Sequence, residues 1–186
     1  MKVLLFFLAL LVGAQPALAQ APSWTVTDAG GAAEVHRGGN VQRLRRGFRL
    51  QQGDTIVTGA NGRASLGRGR EFIVISPASR ITIPTAAQQE GGLVQILQQM
   101  GRATFNIERR ATPHFGVRTP HLAAIVRGTV FTVTVDPVKG CRVAVSEGRV
   151  EVASHDGQSR QFVDPGMQAT APPGEHHRII LGRTDP

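Results

Sequence analysis

From Ser23 to Ala153 the chain is a succession of short runs rich in Val, Ile, Thr and Phe, each stopped within a few residues by Gly, Asn, Asp or Pro. That rhythm leaves no room for long helices and predicts strands joined by tight turns. Asp54-Thr55-Ile56-Val57-Thr58 runs into Gly59-Ala60-Asn61-Gly62, where Asn-Gly supplies the positive φ of hairpin-type turns. Further runs occupy residues 63–66, 72–76, 80–84, 93–98 and 102–107. The longest, 123–136, stops at Pro137-Val138-Lys139-Gly140, and 141–146 is expected to pair with 149–153 across Glu147-Gly148. Only 93–100 also suits a helix, and its flanking glycines limit that to about two turns. The pattern predicts an all-β single domain, with its short strands arranged as a β-solenoid-like stack or a β-sandwich. The 22 Gly and 11 Pro suit the turns, and 41% hydrophobic residues suffice for a core.

The start of the chain reads differently. Met1-Lys2 precedes an apolar run of 12 residues, Val3 to Ala14, and then Ala17-Leu18-Ala19. This is the layout of a secretory signal peptide, with cleavage expected after Ala19; the run falls short of the ~20 residues a spanning helix needs. Processing leaves 167 residues at a formal charge of +7, against 186 at +8 for the whole chain. The expected organisation is a signal peptide over 1–19, N-terminal strands over 20–52, the main domain over 53–169, and a C-terminal tail or edge strand over 170–186. A periplasmic or secreted protein without a membrane span follows.

Cysteine-based chemistry is excluded by the single Cys141, expected to be a buried small hydrophobe. The six histidines read as surface imidazoles; His176 and His177, being adjacent, face opposite ways on a strand. His114 and His121 flank a loop with no acid between them. No Gly-x-Ser-x-Gly elbow, phosphate-binding glycine loop or dinucleotide fingerprint occurs. No catalytic residue, cofactor or metal site is expected, so the reading is non-enzymatic.

Charge is the remaining signal. Five strands open with Arg and then alternate, at Arg63, Arg80, Arg102, Arg142 and Arg149, which places these arginines on outer faces, where they can form a stripe. Arg43, Arg45, Arg46 and Arg49 make the densest basic cluster, interleaved with Leu44, Phe48 and Leu50. Such a cluster suits a polyanion; export disfavours nucleic acid and favours an anionic envelope polymer. Mid-strand Gly128 in Arg127-Gly128-Thr129 signals a bend, with Arg127 turned towards a carboxylate such as Glu147 and Phe131 in the core.

Three pieces together resemble the FecR-like periplasmic domain family. They are Gly53-Asp54-Thr55-Ile56-Val57-Thr58; Val117-Arg118-Thr119-Pro120 leading into Ile125-Val126-Arg127-Gly128-Thr129-Val130-Phe131; and Val145-Ser146-Glu147-Gly148-Arg149-Val150, followed by Asp164-Pro165-Gly166. The resemblance implies an all-β module that makes protein contacts in the periplasm. In the family's transmembrane regulators it relays a signal from an outer-membrane receptor towards a cytoplasmic sigma factor. Here a signal peptide stands where those regulators carry their anti-sigma segment and spanning helix. A stand-alone exported domain is therefore expected, with an envelope protein as partner and an anionic glycan or lipopolysaccharide as the alternative.

Overall fold

The computed structural model describes residues 23–88, 93–175 and 177–184; the expected signal peptide lies outside them. Sixteen strands are β1 Thr25–Gly30, β2 Ala33–Arg37, β3 Asn40–Arg43, β4 Thr55–Thr58, β5 Arg63–Arg68, β6 Glu71–Ile75, β7 Ser79–Thr82, β8 Val94–Asn106, β9 Phe115–Arg118, β10 Leu122–Val126, β11 Val130–Asp136, β12 Gly140–Glu147, β13 Val150–Ser154, β14 Arg160–Val163, β15 Met167–Ala171 and β16 Ile180–Arg183. Among the described residues there is one short 3₁₀ turn, Ala86–Gln88. The all-β expectation holds. The segment that also suited a helix is the first half of β8, because Ile96 and Gln98 face inward at the strand period of two.

The strands form one hydrogen-bonded network folded into two layers. The first holds β1, β5, β6, the C-terminal half of β8, β11, β12, β15 and β16. The second holds β3, β2, β4, β7, the N-terminal half of β8, β9, β10, β13 and β14. All pairings are antiparallel except β8 with β9. After β8 the chain alternates regularly: the hairpin β9–β10 lies in the second layer, β11–β12 in the first, β13–β14 in the second, β15–β16 in the first.

Each change of layer needs a corner, and two of the corners are set by glycine. The residues read as one run, 123–136, are two strands, β10 and β11, broken at Arg127-Gly128-Thr129, where the chain crosses between layers. Conversely, the two runs read on either side of Gly101 are one strand that bends at that residue, whose φ is +85°. A Cβ on Gly101 would sit 2.2 Å from the Ser79 hydroxyl, so no other residue fits without displacing β7.

The core lies between the layers. Phe105 of β8 stacks on its cross-strand neighbour Phe131 (centroids 5.0 Å), and Phe115 of the facing layer meets Phe105 at 6.0 Å. Trp24 closes the row edge-on to Phe115 at 6.3 Å. All four are buried, and each such side chain stabilises the fold by about 1.5–3 kcal/mol. The alternation in β11 puts Phe131, Val133 and Val135 inward and Thr132 and Thr134 outward.

Cys141 is buried on β12, and burial pushes its thiol up to about 12. The native protein is expected to leave Ellman's reagent unreacted at pH 8, with one thiol released in denaturant. Because the pKa is raised, the thiol's contribution to stability is complete below the unfolded value of 9.0 and is lost as pH climbs from there towards about 12. A melting temperature that falls over that alkaline range in the native chain but not in Cys141→Ala checks the sign.

Candidate binding surface

The residues singled out in the sequence fall at turns and corners. Gly53 precedes β4 with φ +88°, and its N–H donates to the Ile83 carbonyl at 2.7 Å. Asp54 is wholly buried. Its carboxylate accepts from Arg37 Nε and Nη2, both at 2.6 Å, and from the Gln51 N–H at 2.8 Å. The bond to Asp54 raises the Arg37 guanidinium further above its ordinary value. Arg37 also donates to the Arg49 carbonyl at 3.0 Å and covers the Phe48 ring at 5.1 Å. Asp54 thus ties β2, β4 and the basic segment together.

Gly128 and Gly148 meet at one end of the layers: a Cβ on Gly148 would lie 2.6 Å from the Gly128 carbonyl. Thr129 is buried, and its backbone exchanges hydrogen bonds with Ile107 (3.0 and 3.2 Å). Glu147 is exposed at a bulge opposite Val130. Arg127 does not turn to it: its side chain is exposed and lines a depression with Arg149 and Glu151 on the outer face of the second layer. The reason is the corner, which ends β10 with Arg127 pointing away from the layer that carries Glu147. Gly166 lies in the exposed turn from β14 to β15, with its N–H bonded to the Val145 carbonyl at 3.0 Å.

Arg43, Arg45, Arg46 and Arg49 are all exposed, while Leu44 and Leu50 are buried and Phe48 packs on the core. The apolar residues hold the segment down and aim the guanidinium groups at solvent. The five arginines that open strands do not make one stripe. Arg63, Arg102 and Arg142 belong to the first layer, Arg80 and Arg149 to the second, and only Arg102 and Arg142 share a cross-strand row, through Thr134.

One cluster escaped the sequence reading. Glu71 is 1% exposed on the inner side of β6. Arg68 forms a close ion pair with it and donates from Nε at 2.9 Å. His114, read as a surface imidazole, is instead largely buried, with Nε2 3.0 Å from Glu71 Oε1. Arg110 stands 3.9 Å away, and Arg68 lies over the Trp24 ring at 4.6 Å. A buried carboxylate is tolerated only with such partners. The group clasps the two layers, since Glu71 comes from the first and His114 leads into β9 of the second. Arg68 ends β5 and points inward. Among the described residues no group of three or more His, Cys, Asp or Glu converges in a way that could hold a metal ion; His176 lies outside them.

The matched family is decided by this middle part of the chain. A family model described as FecR protein matches residues 54–151, which is more than half of the chain. The chain belongs to the FecR family. The FecR match opens at buried Asp54 and closes at Glu151, so β1–β3 and β14–β16 lie outside the matched residues. Two crystal structures of a candidate anti-sigma factor from Parabacteroides distasonis ATCC 8503, at 1.65 Å and 2.50 Å resolution, share the fold with a TM-score of 0.58 and 21% identity. The likeness covers 70% of this chain and 60% of that one, so the FecR chain spans less than two thirds of its neighbour's length. No functionally curated protein matches significantly. Among the described residues no helix is long and apolar enough to cross a membrane.

Proposed function

We propose that the protein is a non-enzymatic binding or scaffold module of the cell envelope, engaging an envelope protein and contributing to signal relay. The observation that supports this reading is the layout of the FecR segment: Asp54, Gly128 and Gly148 are spent on holding corners, while the sheet faces they hold in place are left to solvent. An exported, periplasmic setting fits the sequence at the N-terminus, and the neighbour's description as an anti-sigma factor fits a role in relay. The tagged protein, crosslinked in envelope extracts and recovered under denaturing conditions, is expected to bring down a discrete partner. Recovery of nothing beyond the untagged control would count against the module.

A second reading has its own observation. Arg43, Arg45, Arg46 and Arg49 are exposed within seven residues and make no ion pair with any described carboxylate. A polyanion such as lipopolysaccharide or an acidic envelope glycan suits that segment. Charge-driven binding of this kind weakens as the screening length falls from about 10 Å at 0.1 M salt to about 3 Å at 1 M. Co-sedimentation with lipopolysaccharide that is unaffected by salt, or by replacing the four arginines with Ser, removes this reading.

A further inference from the structure

On the outer face of the second layer, strand register assembles a groove from residues far apart in sequence. Arg118, Ala123, Ala153 and Arg160 fall in one cross-strand row. Gly116, Ile125, Glu151 and Phe162 fall in the next. Arg127 and Arg149 stand beyond them, at the layer corner. Two adjoining depressions of about 290 and 300 Å³ lie over these rows and share Ile125 as their common floor. The result is a middle row of Gly116, Ile125, Glu151 and Phe162 between two cationic ends.

The rim charge is lopsided. Four arginines stand around the groove against two carboxylates, Asp164 and Glu151, the latter held by Arg160 at 3.0 Å. Arg149 is held by Asp164 at 2.6 Å and lies 5.8 Å from the centre of the Phe162 ring. Phe162 is 61% exposed and gives the groove an aromatic surface. Outward rows of a sheet recur every two residues, so the two cationic ends stand roughly 13 Å apart, the reach of four residues of extended chain.

We infer that this groove takes an extended segment of a partner protein in which an apolar side chain is flanked, two residues away on either side, by carboxylates. The apolar side chain sits on Ile125 against Phe162, and the carboxylates meet the arginines at the two ends. A sugar polymer is the rival occupant, since the middle row also carries Glu151, and the oligogalacturonate arm of the test decides against or for it. The inference rests on the proposal that the protein is a protein-binding module and names the surface and the partner's chemistry.

The test is an NMR titration of the full chain with the blocked peptide Thr-Glu-Thr-Ile-Thr-Glu-Thr and its Lys-for-Glu counterpart, up to millimolar concentrations. Shifts are expected on β9, β10, β13 and β14, with the Lys peptide about ten-fold weaker or worse. Arg127→Glu and Phe162→Ser alter exposed side chains. Each is expected to weaken the Glu peptide about five-fold while leaving the melting temperature unchanged. No shifts, shifts elsewhere, or native affinity retained in both variants overturns the groove. So does an acidic oligogalacturonate that displaces the peptide at lower concentration than the peptide itself binds. If the variants still capture the crosslinked envelope partner as well as the native chain does, the groove is wrong and the binding module stands.

Discussion

Gly128→Val is expected to abolish folding, giving insoluble protein or a soluble chain without a cooperative thermal transition by circular dichroism. Gly128 has φ +143°, a backbone conformation that L side chains rarely adopt, and a Cβ built there lies 2.3 Å from the Arg109 Cα. That neighbour is backbone, so no rotamer change relieves the collision. Nor can the corner relax outward, because Thr129 and Arg127 are both hydrogen-bonded to the segment that carries Arg109, through Ile107 and Arg110. Gly148 packs against the Gly128 carbonyl. A β-branched residue therefore forces either the crossing between layers or the Glu147-Gly148 turn to open, which exposes the Phe131 end of the core. Gly128→Ala keeps the same collision with a smaller side chain and is expected to fold, if at all, with a much lowered melting temperature. A Gly128→Val protein that melts with the native chain would sink the role given to the corner.

The second large effect is expected at the Arg37–Asp54 pair, and it is unequal between the partners. Arg37→Ala leaves the Asp54 carboxylate buried with only the Gln51 N–H to bond it, whereas Asp54→Asn leaves a guanidinium whose side chain is 33% exposed and can turn to water. Stranding a buried charge costs about 3 kcal/mol or more, which lowers the melting temperature of a chain this size by about 6–12 °C. Asp54→Asn should cost roughly half as much, since it strands no charge and keeps an acceptor for one Arg37 bond. Thermal melts of both single variants and the double variant read the difference directly, and the double variant should cost less than the two single losses added together. Equal losses in the two single variants would mean that the pair acts only as one more surface ion pair.

Both predictions concern residues already visible in the sequence, and they show how far local pattern reaches. A glycine inside a run of Val, Ile and Thr marked the bend at 128, and Asp54 stood out within its Gly-Asp-Thr motif. What the pattern could not say was that the run on either side of Gly128 belongs to two different layers. Hydrophobic alternation is the same in both halves, since β10 and β11 each bury every second residue against one shared core. Gly101 misled in the opposite sense: a glycine that ends a run in most contexts here bends one strand, β8, which passes from the second layer into the first. Arg127 was expected to turn towards a carboxylate such as Glu147, but the corner sends the two side chains to different faces.

The buried cluster was illegible for a different reason. Arg68 and Glu71 are three residues apart around a glycine turn, where charged residues are ordinarily solvated. His114 is far along the chain, in a Pro-containing loop with no acid nearby. Nothing local distinguishes these three from surface groups; only the facing of β6 and the segment before β9 brings Glu71 to His114. The groove on the second layer depends on register in the same way. Arg118, Arg160 and Phe162 become neighbours because β10 and β13 set Ala123 opposite Ala153, and a slip of one residue in either strand would turn the whole row inward.

By itself the sequence determined the class of fold, the inward and outward faces of most strands, the glycine positions at which the backbone must turn, and the placing of four arginines on one exposed segment. These follow from local steric limits and a period of two, which act over a few residues. Only the tertiary structure decided which strands share a layer, which charges are buried as partners, and which outer side chains line a common groove. Those outcomes rest on contacts between residues tens of positions apart, chosen by the packing of two layers against one core.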